Sequence, residues 1–196
     1  MQRYELAGSP LAITNPLSAE NIDRSGRQWQ NYGWATPALA PLEPFGIGTV
    51  IRSIAELKKW INNISDRQTI AANLVIATFV VDRDKNLRLA DRHSEHVACA
   101  GGKSVLSAGE IFINCNRECF EISDITNQST GYCPEIESWQ YVEDTLDRIP
   151  IDHPSHFTTE FIFRRCDDCS QINIVKDNLF ICSVCNSILS DEWNFR

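Results

Sequence analysis

The fold turns on residues 74–90: Leu74-Val-Ile-Ala-Thr-Phe-Val-Val-Asp82, then Arg-Asp-Lys-Asn86, then Leu87-Arg-Leu-Ala90. The first nine residues are rich in β-branched side chains and predict a strand. The polar run Asp82 to Asn86 predicts a hairpin turn, so Leu87 to Ala90 returns alongside the first strand. Upstream, Ser53 and Glu56 match a capping box. Ile54, Leu57, Ile61 and Ile64 recur at helical spacing with Trp60 beside them, so a helix is expected from about Ser53 to Ile64.

Downstream, Gly101-Gly102 marks a turn, and Glu110–Cys115 and Cys119–Ile125 read as two arms around a second one. A second helix is expected from Glu137 to Arg148, with Trp139, Val142, Leu146 and Ile149 on one face and Pro150 at its end. Phe157 to Arg164 reads as a further strand. The body is therefore expected to be α+β, mostly antiparallel sheet with two main helices, followed by a small C-terminal zinc ribbon. Residues 1–50 carry five of the eight prolines together with Trp29, Tyr32 and Trp34. That mixture predicts an irregular segment packed on the body, since proline disfavours helix and aromatics gain by burial. The expected divisions are 1–50, an α+β domain over 51–163, and the ribbon over 164–196.

Cys166-Asp-Asp-Cys169 and Cys182-Ser-Val-Cys185 are two Cys-x-x-Cys pairs separated by twelve residues. Two such pairs can place four sulfurs tetrahedrally around one ion at about 2.3 Å. Asp177-Asn178 can close a hairpin between the two knuckles, and Asn186 stands where a left-handed residue is often needed. Ile172, Ile174, Leu179 and Ile181 are expected to cover the site, and Trp193-Asn-Phe195 to pack back on the ribbon. Residues 164–190 resemble a rubredoxin-like zinc ribbon, without the glycine and proline that usually flank its cysteines. The ligand set is all sulfur with no open position, which points to a structural Zn²⁺ rather than a catalytic one; the same thiolates also suit iron.

The chain carries a formal charge of −8, and four thiolates with one divalent cation would make it −10. Such acidity disfavours nucleic acid and anionic membrane surfaces as partners. Within the ribbon, Arg164, Arg165, Lys176 and Arg196 are balanced by Asp167, Asp168, Asp177, Asp191 and Glu192, which leaves no basic face. The partner expected is another protein, and the sequence does not fix an oligomeric state. With no apolar leader and no membrane-length apolar run, the expected compartment is the cytoplasm, where paired cysteines read as metal ligands rather than disulfides.

The central region gathers other reactive side chains. His93, His96 and Cys99, with Cys115 and Cys119, could supply a second metal site; the two latter cysteines also read as small hydrophobes across a hairpin. His93 could serve as a general base oriented by Glu110, with Tyr132 as a donor. Cys133 could be a nucleophile with His153 or His156 as its base. His93-Ser94, Gly101-Gly102-Lys103, Ala108-Gly109-Glu110 and Ser129-Thr-Gly-Tyr132 with Pro134 resemble uncharacterised bacterial modules, some of them at the ends of toxin-like proteins. Where the resemblance implies a histidine before the tyrosine, this chain has Gly131, which implies an inactive copy if that histidine is catalytic. The functional expectation is a zinc-stabilised protein-interaction module in a multi-component bacterial system; the alternative is a hydrolase or transferase centred on His93, Glu110 and Tyr132.

Overall fold

The computed structural model describes residues 46–195, apart from residue 72 and residues 117–118. The proline- and tryptophan-rich stretch through residue 45 lies outside the described residues. Five strands hydrogen-bond in the order β1 (Thr49–Ile51), β4 (Leu87–Asp91), β3 (Leu74–Asp82), β5 (Val105–Asn116) and β6 (Cys119–Ile125). A short β2 (Thr69–Ala71) also pairs with β3, and every pairing in this sheet is antiparallel. The α+β class with a mainly antiparallel sheet is thus what the sequence indicates.

β3 lies at the centre because its side chains are apolar on both faces, and its interior is buried throughout. Val75, Ala77, Phe79 and Val81 join the main core under α1 (Ile54–Gln68) and α3 (Trp139–Leu146). Leu57, Trp60 and Ile61 come from α1, and Val142 and Leu146 from α3, followed by Ile149. Burying such side chains stabilises by about 1.5–3 kcal/mol each, which is what holds the helices on the sheet. Val80, on the opposite face, meets a smaller cluster with Cys99 of the four-residue α2 (His96–Cys99) and the Tyr132 ring.

The Ser53 hydroxyl accepts from the amide of Glu56 at 3.2 Å, while the Glu56 carboxylate accepts from the amide of Arg52 at 2.6 Å. The cap therefore reaches one residue further back than a capping box does, and α1 runs on to Gln68. Asp82 organises the β3–β4 turn. Its Oδ1 accepts from the amides of Asp84 and Asn86 at 3.0 and 2.9 Å, and its Oδ2 accepts from Arg88 Nε at 2.9 Å. Burial pushes the Asp82 carboxyl up, but the Asn86 and Arg88 donors outweigh it and hold the group below its ordinary value. The turn's tip, Lys85, has φ 60°, a left-handed conformation that such a tight turn demands.

β5 is longer than the arm expected from Glu110 to Cys115, and Gly109 explains how. There the chain leaving β6 crosses so close that a Cβ would lie 1.8 Å from the Thr126 carbonyl oxygen. Beyond α3, which a single 3₁₀ turn (Ile136–Ser138) precedes, the chain returns beside β6 in parallel, with Thr158 N donating to the Ile125 carbonyl at 2.9 Å. Regular strand structure begins only at β7 (Ile162–Arg165), later than the predicted Phe157. The reason is Asn127, which is fully buried. Its Nδ2 donates to the Phe161 and Pro134 carbonyls at 2.8 and 3.0 Å, and its Oδ1 accepts from Phe161 N at 2.7 Å. One side chain takes the place of a neighbouring strand.

β7 pairs with β8 (Ile172–Val175) in a separate antiparallel hairpin. The C-terminal tail closes over it: Trp193 and Phe195 are buried with Phe163 and Cys133, and Trp193 Nε1 donates to the Cys133 carbonyl at 2.9 Å. Among the described residues, no helix is long and apolar enough to cross a membrane.

Candidate metal centre

Each Cys-x-x-Cys pair sits on a tight knuckle, and the two knuckles share one hydrogen-bond pattern. The Cys166 sulfur receives the amides of Asp168 and Cys169, and the Cys182 sulfur those of Val184 and Cys185. The second sulfur of each pair, Cys169 and Cys185, receives the amide two residues on, from Gln171 and Ser187. The chain then reverses through Ser170 and Asn186, both at φ 62°. Their amides donate to the carbonyls of Cys166 and Cys182 at 2.8 and 3.0 Å. Asn186 fills the left-handed role expected of it, and Ser170 fills the matching role in the first knuckle, which the same offset from Cys169 could have revealed. Asp177 and Asn178 close the intervening hairpin at φ 53° and 55°, as their residue types indicate.

The four sulfurs of Cys166, Cys169, Cys182 and Cys185 all lie within 4.8 Å of one another. Cys166 to Cys185 and Cys169 to Cys182 are each 3.5 Å apart. A tetrahedral ion with metal–sulfur bonds of about 2.3 Å needs sulfurs about 3.8 Å apart, so the cage is the right size. Electrostatics give the same answer. The Cys185 and Val184 amides draw the Cys182 thiol down to about 6 against the opposing effect of burial. Cys169, despite the Gln171 amide, is pushed up to about 12 by burial and by its three sulfur neighbours. Four thiols this close cannot all ionise unless a cation joins them, and the amides aimed at the sulfurs suit thiolates. The arrangement fits one closed, structural metal.

The apolar cover differs from the one expected. Val175 and Leu189 are buried against Cys166 and Cys182, with Ile162 and Phe180 partly buried beside them. Ile174, Leu179 and Ile181 instead face outward, at 36%, 62% and 52% exposure. The cause is strand parity. Cys182 must point to the sulfur cluster, so Phe180 shares its face and Leu179 and Ile181 take the other. Asn173, which sequence reasoning passed over, is buried behind the site. Its Oδ1 accepts from the amide and hydroxyl of Ser183, both at 2.9 Å, and ties the second knuckle to β8.

The other candidate residues lie elsewhere. His93 is exposed at the end of β4, its Nδ1 2.9 Å from Asp91 Oδ1. The buried Tyr132 hydroxyl donates to the Lys103 carbonyl at 2.6 Å. Glu110 is half-buried on β5, in register with Thr78 of β3. Thr78 in turn donates to the carbonyls of Arg92 and Ser94, on either side of His93. His96 Nε2 is 3.0 Å from the Gly109 carbonyl, which makes that nitrogen the donor, and burial lowers the pKa of the ring. Cys99 lies in the Tyr132 cluster, whereas Cys115 packs at the edge of the main core and Cys119 is exposed at the far end of the β5–β6 hairpin. Among the described residues, the four ribbon cysteines are the one group of three or more such ligands close enough to hold an ion, so these five residues assemble no second site. Cys133 is buried, and burial pushes its thiol up to about 12. His153 is occupied by Asp147 and the Pro154 carbonyl, and His156 by Ser155.

No described protein family matches this chain, nor does any curated protein or solved structure.

Proposed function

We propose that the four sulfurs hold one structural Zn²⁺ and that the ribbon they organise presents an aliphatic face to another protein, in the cytoplasm. An all-thiolate tetrahedral cage with no open position favours zinc as a structural ion. Its place in a multi-component bacterial system rests on the resemblance of the central region alone.

The observation that carries the interaction reading is where the exposed apolar side chains lie. Among the described residues, every exposed large hydrophobic side chain except Ile47 belongs to the ribbon: Ile174, Leu179, Ile181, Val184 and Ile188. Ile181 and Ile188 face each other across an antiparallel bridge, which puts their side chains together, and Ile188 is 85% exposed. From Asn178 to Ser190 no residue is charged, although the chain as a whole is strongly acidic. Exposed apolar residues gathered in this way mark contact sites more often than scattered ones do. One exposed cation, Lys176, stands opposite Leu179 at the border of the face, and a single lysine gives little hold on phosphates. Arg164 adds nothing there, since its guanidinium is buried on the carbonyls of Phe163, Ser190 and Asp191. The occupant that suits the face is an uncharged aliphatic or aromatic segment of a partner protein.

Ile188→Asp tests this. An acid at so exposed a position should leave the unfolding midpoint and the metal content unchanged. It should also abolish retention of a protein that the immobilised wild-type chain captures at mild salt. Equal capture by wild type and Ile188→Asp would remove this face from the account.

A further inference from the structure

A cavity of about 160 Å³ opens between the start of α1, the β3–β4 turn and the end of α3. Its floor is Ile51, Leu87 and Ile149, all buried. Its polar lining brings Arg52, Lys85 and Arg148 together from three distant stretches of chain, and among the described residues no carboxylate lines it. In a chain of net charge −8, such a convergence of cations is against the average.

Neutral groups hold the two guanidinium groups. Arg52 Nε donates to Asn86 Oδ1 at 3.2 Å. Arg148 Nη2 donates to the Lys85 carbonyl at 2.6 Å and to the Thr145 hydroxyl at 3.1 Å, and its Nε donates to the Asp144 carbonyl at 2.9 Å. These bonds aim the side chains without neutralising them. Among the described residues, the one acid paired with a lining cation is Asp144, 3.3 Å from Lys85 Nζ, and that side-chain pair is 41% and 60% exposed. A pair so open to water is worth little and yields readily to a better-placed anion. Glu56, four residues after Arg52, accepts from the Arg52 amide at 2.6 Å.

We propose that this cavity binds a small organic anion, a carboxylate or phosphate monoester carried on an apolar body about the size of one ring. A cavity of about 150 Å³ accommodates benzene, so the volume suits one such body. The head group would sit at the rim, where guanidinium forks match carboxylate and phosphate oxygens. The body would lie on Ile51, Leu87 and Ile149, the usual division of a small-molecule site into apolar floor and few polar anchors. None of these residues belongs to the cysteine ribbon, so the site is independent of the proposed protein contact.

The test is calorimetric titration of the full chain with benzoate, phenyl phosphate, inorganic phosphate and neutral phenol. Saturable binding is expected for benzoate or phenyl phosphate, and the tighter of the two identifies the head group. Inorganic phosphate, which lacks the body, should bind about tenfold more weakly, and phenol not at all. Arg52→Gln removes one charge-assisted contact at an exposed position and should weaken binding about tenfold or more, whereas Lys58→Gln, elsewhere on the surface of α1, should leave it unchanged. Arg148→Gln should do the same as Arg52→Gln in any preparation whose unfolding midpoint matches wild type. The proposal is overturned if no probe saturates below about 10 mM, or if Arg52→Gln binds as wild type does.

Discussion

Cys182→Ser is expected to abolish metal binding and unfold the ribbon, while the six-stranded sheet survives. Cys182 is fully buried at the centre of the sulfur cluster and carries the second knuckle's amide contacts. A serine there keeps the shape but removes a thiolate, and structural zinc sites supply on the order of 10–16 kcal/mol to the folding of the module around them. The ribbon has little with which to replace that. Beside the cysteines its core is only Val175 and Leu189 with parts of Ile162 and Phe180, while Trp193 and Phe195 hold the tail to Phe163 and Cys133. The sheet, by contrast, rests on a separate cluster from β3, β5, α1 and α3. Limited proteolysis should therefore cut the variant rapidly between residues 166 and 190, and wild type should behave likewise once a strong chelator is added. A variant as resistant as wild type would show that the sulfurs do not organise this segment.

The largest expected effect on the sheet comes from Gly109→Ala. The added Cβ would stand 1.8 Å from the Thr126 oxygen, 2.8 Å from its carbonyl carbon and 3.1 Å from the Asn127 Cα. These are backbone atoms and cannot swing aside. Thr126 is itself tied down, its amide donating to the Glu110 carbonyl at 2.9 Å. Asn127 cannot move without losing Pro134 and Phe161. Relief requires the end of β6 to part from β5, at a cost of about 4 kcal/mol or failure to fold. Gly102 provides the comparison. It has φ 74° but open space around it, so Gly102→Ala should cost only about 1–2 kcal/mol of left-handed strain. Urea midpoints measure both, and a loss at Gly109 no greater than at Gly102 would contradict the close crossing.

Much of this is legible in the chain because local chemistry decided it. Leu74–Asp82 and Cys119–Ile125 are strands with the bounds their residues suggest, and the Asp82 turn forms where a polar run interrupts apolar ones. Asp177, Asn178 and Asn186 take positive φ because short amide and carboxylate side chains tolerate it. The spacing of the four cysteines foretold that their sulfurs would meet.

What escaped the sequence depended on choices made between distant segments. Leu179-Phe-Ile-Cys182 is apolar at every position, so hydrophobicity alone cannot say which side faces in. The parity of Cys182 could have said so, since a ligand must point at its ion. Asn127 reads as an ordinary loop asparagine until Phe161 and Pro134 are brought to it. Arg52, Lys85 and Arg148 carry no motif in common; only the approach of α1, the β3–β4 turn and α3 makes them neighbours.

The measurement that bears most directly on the account is elemental analysis of the full chain, purified without chelators, combined with X-ray absorption at the metal edge. The expected result is one zinc per chain with four sulfur neighbours at about 2.3 Å. Protein with an intact, protease-resistant ribbon and no stoichiometric metal would contradict it.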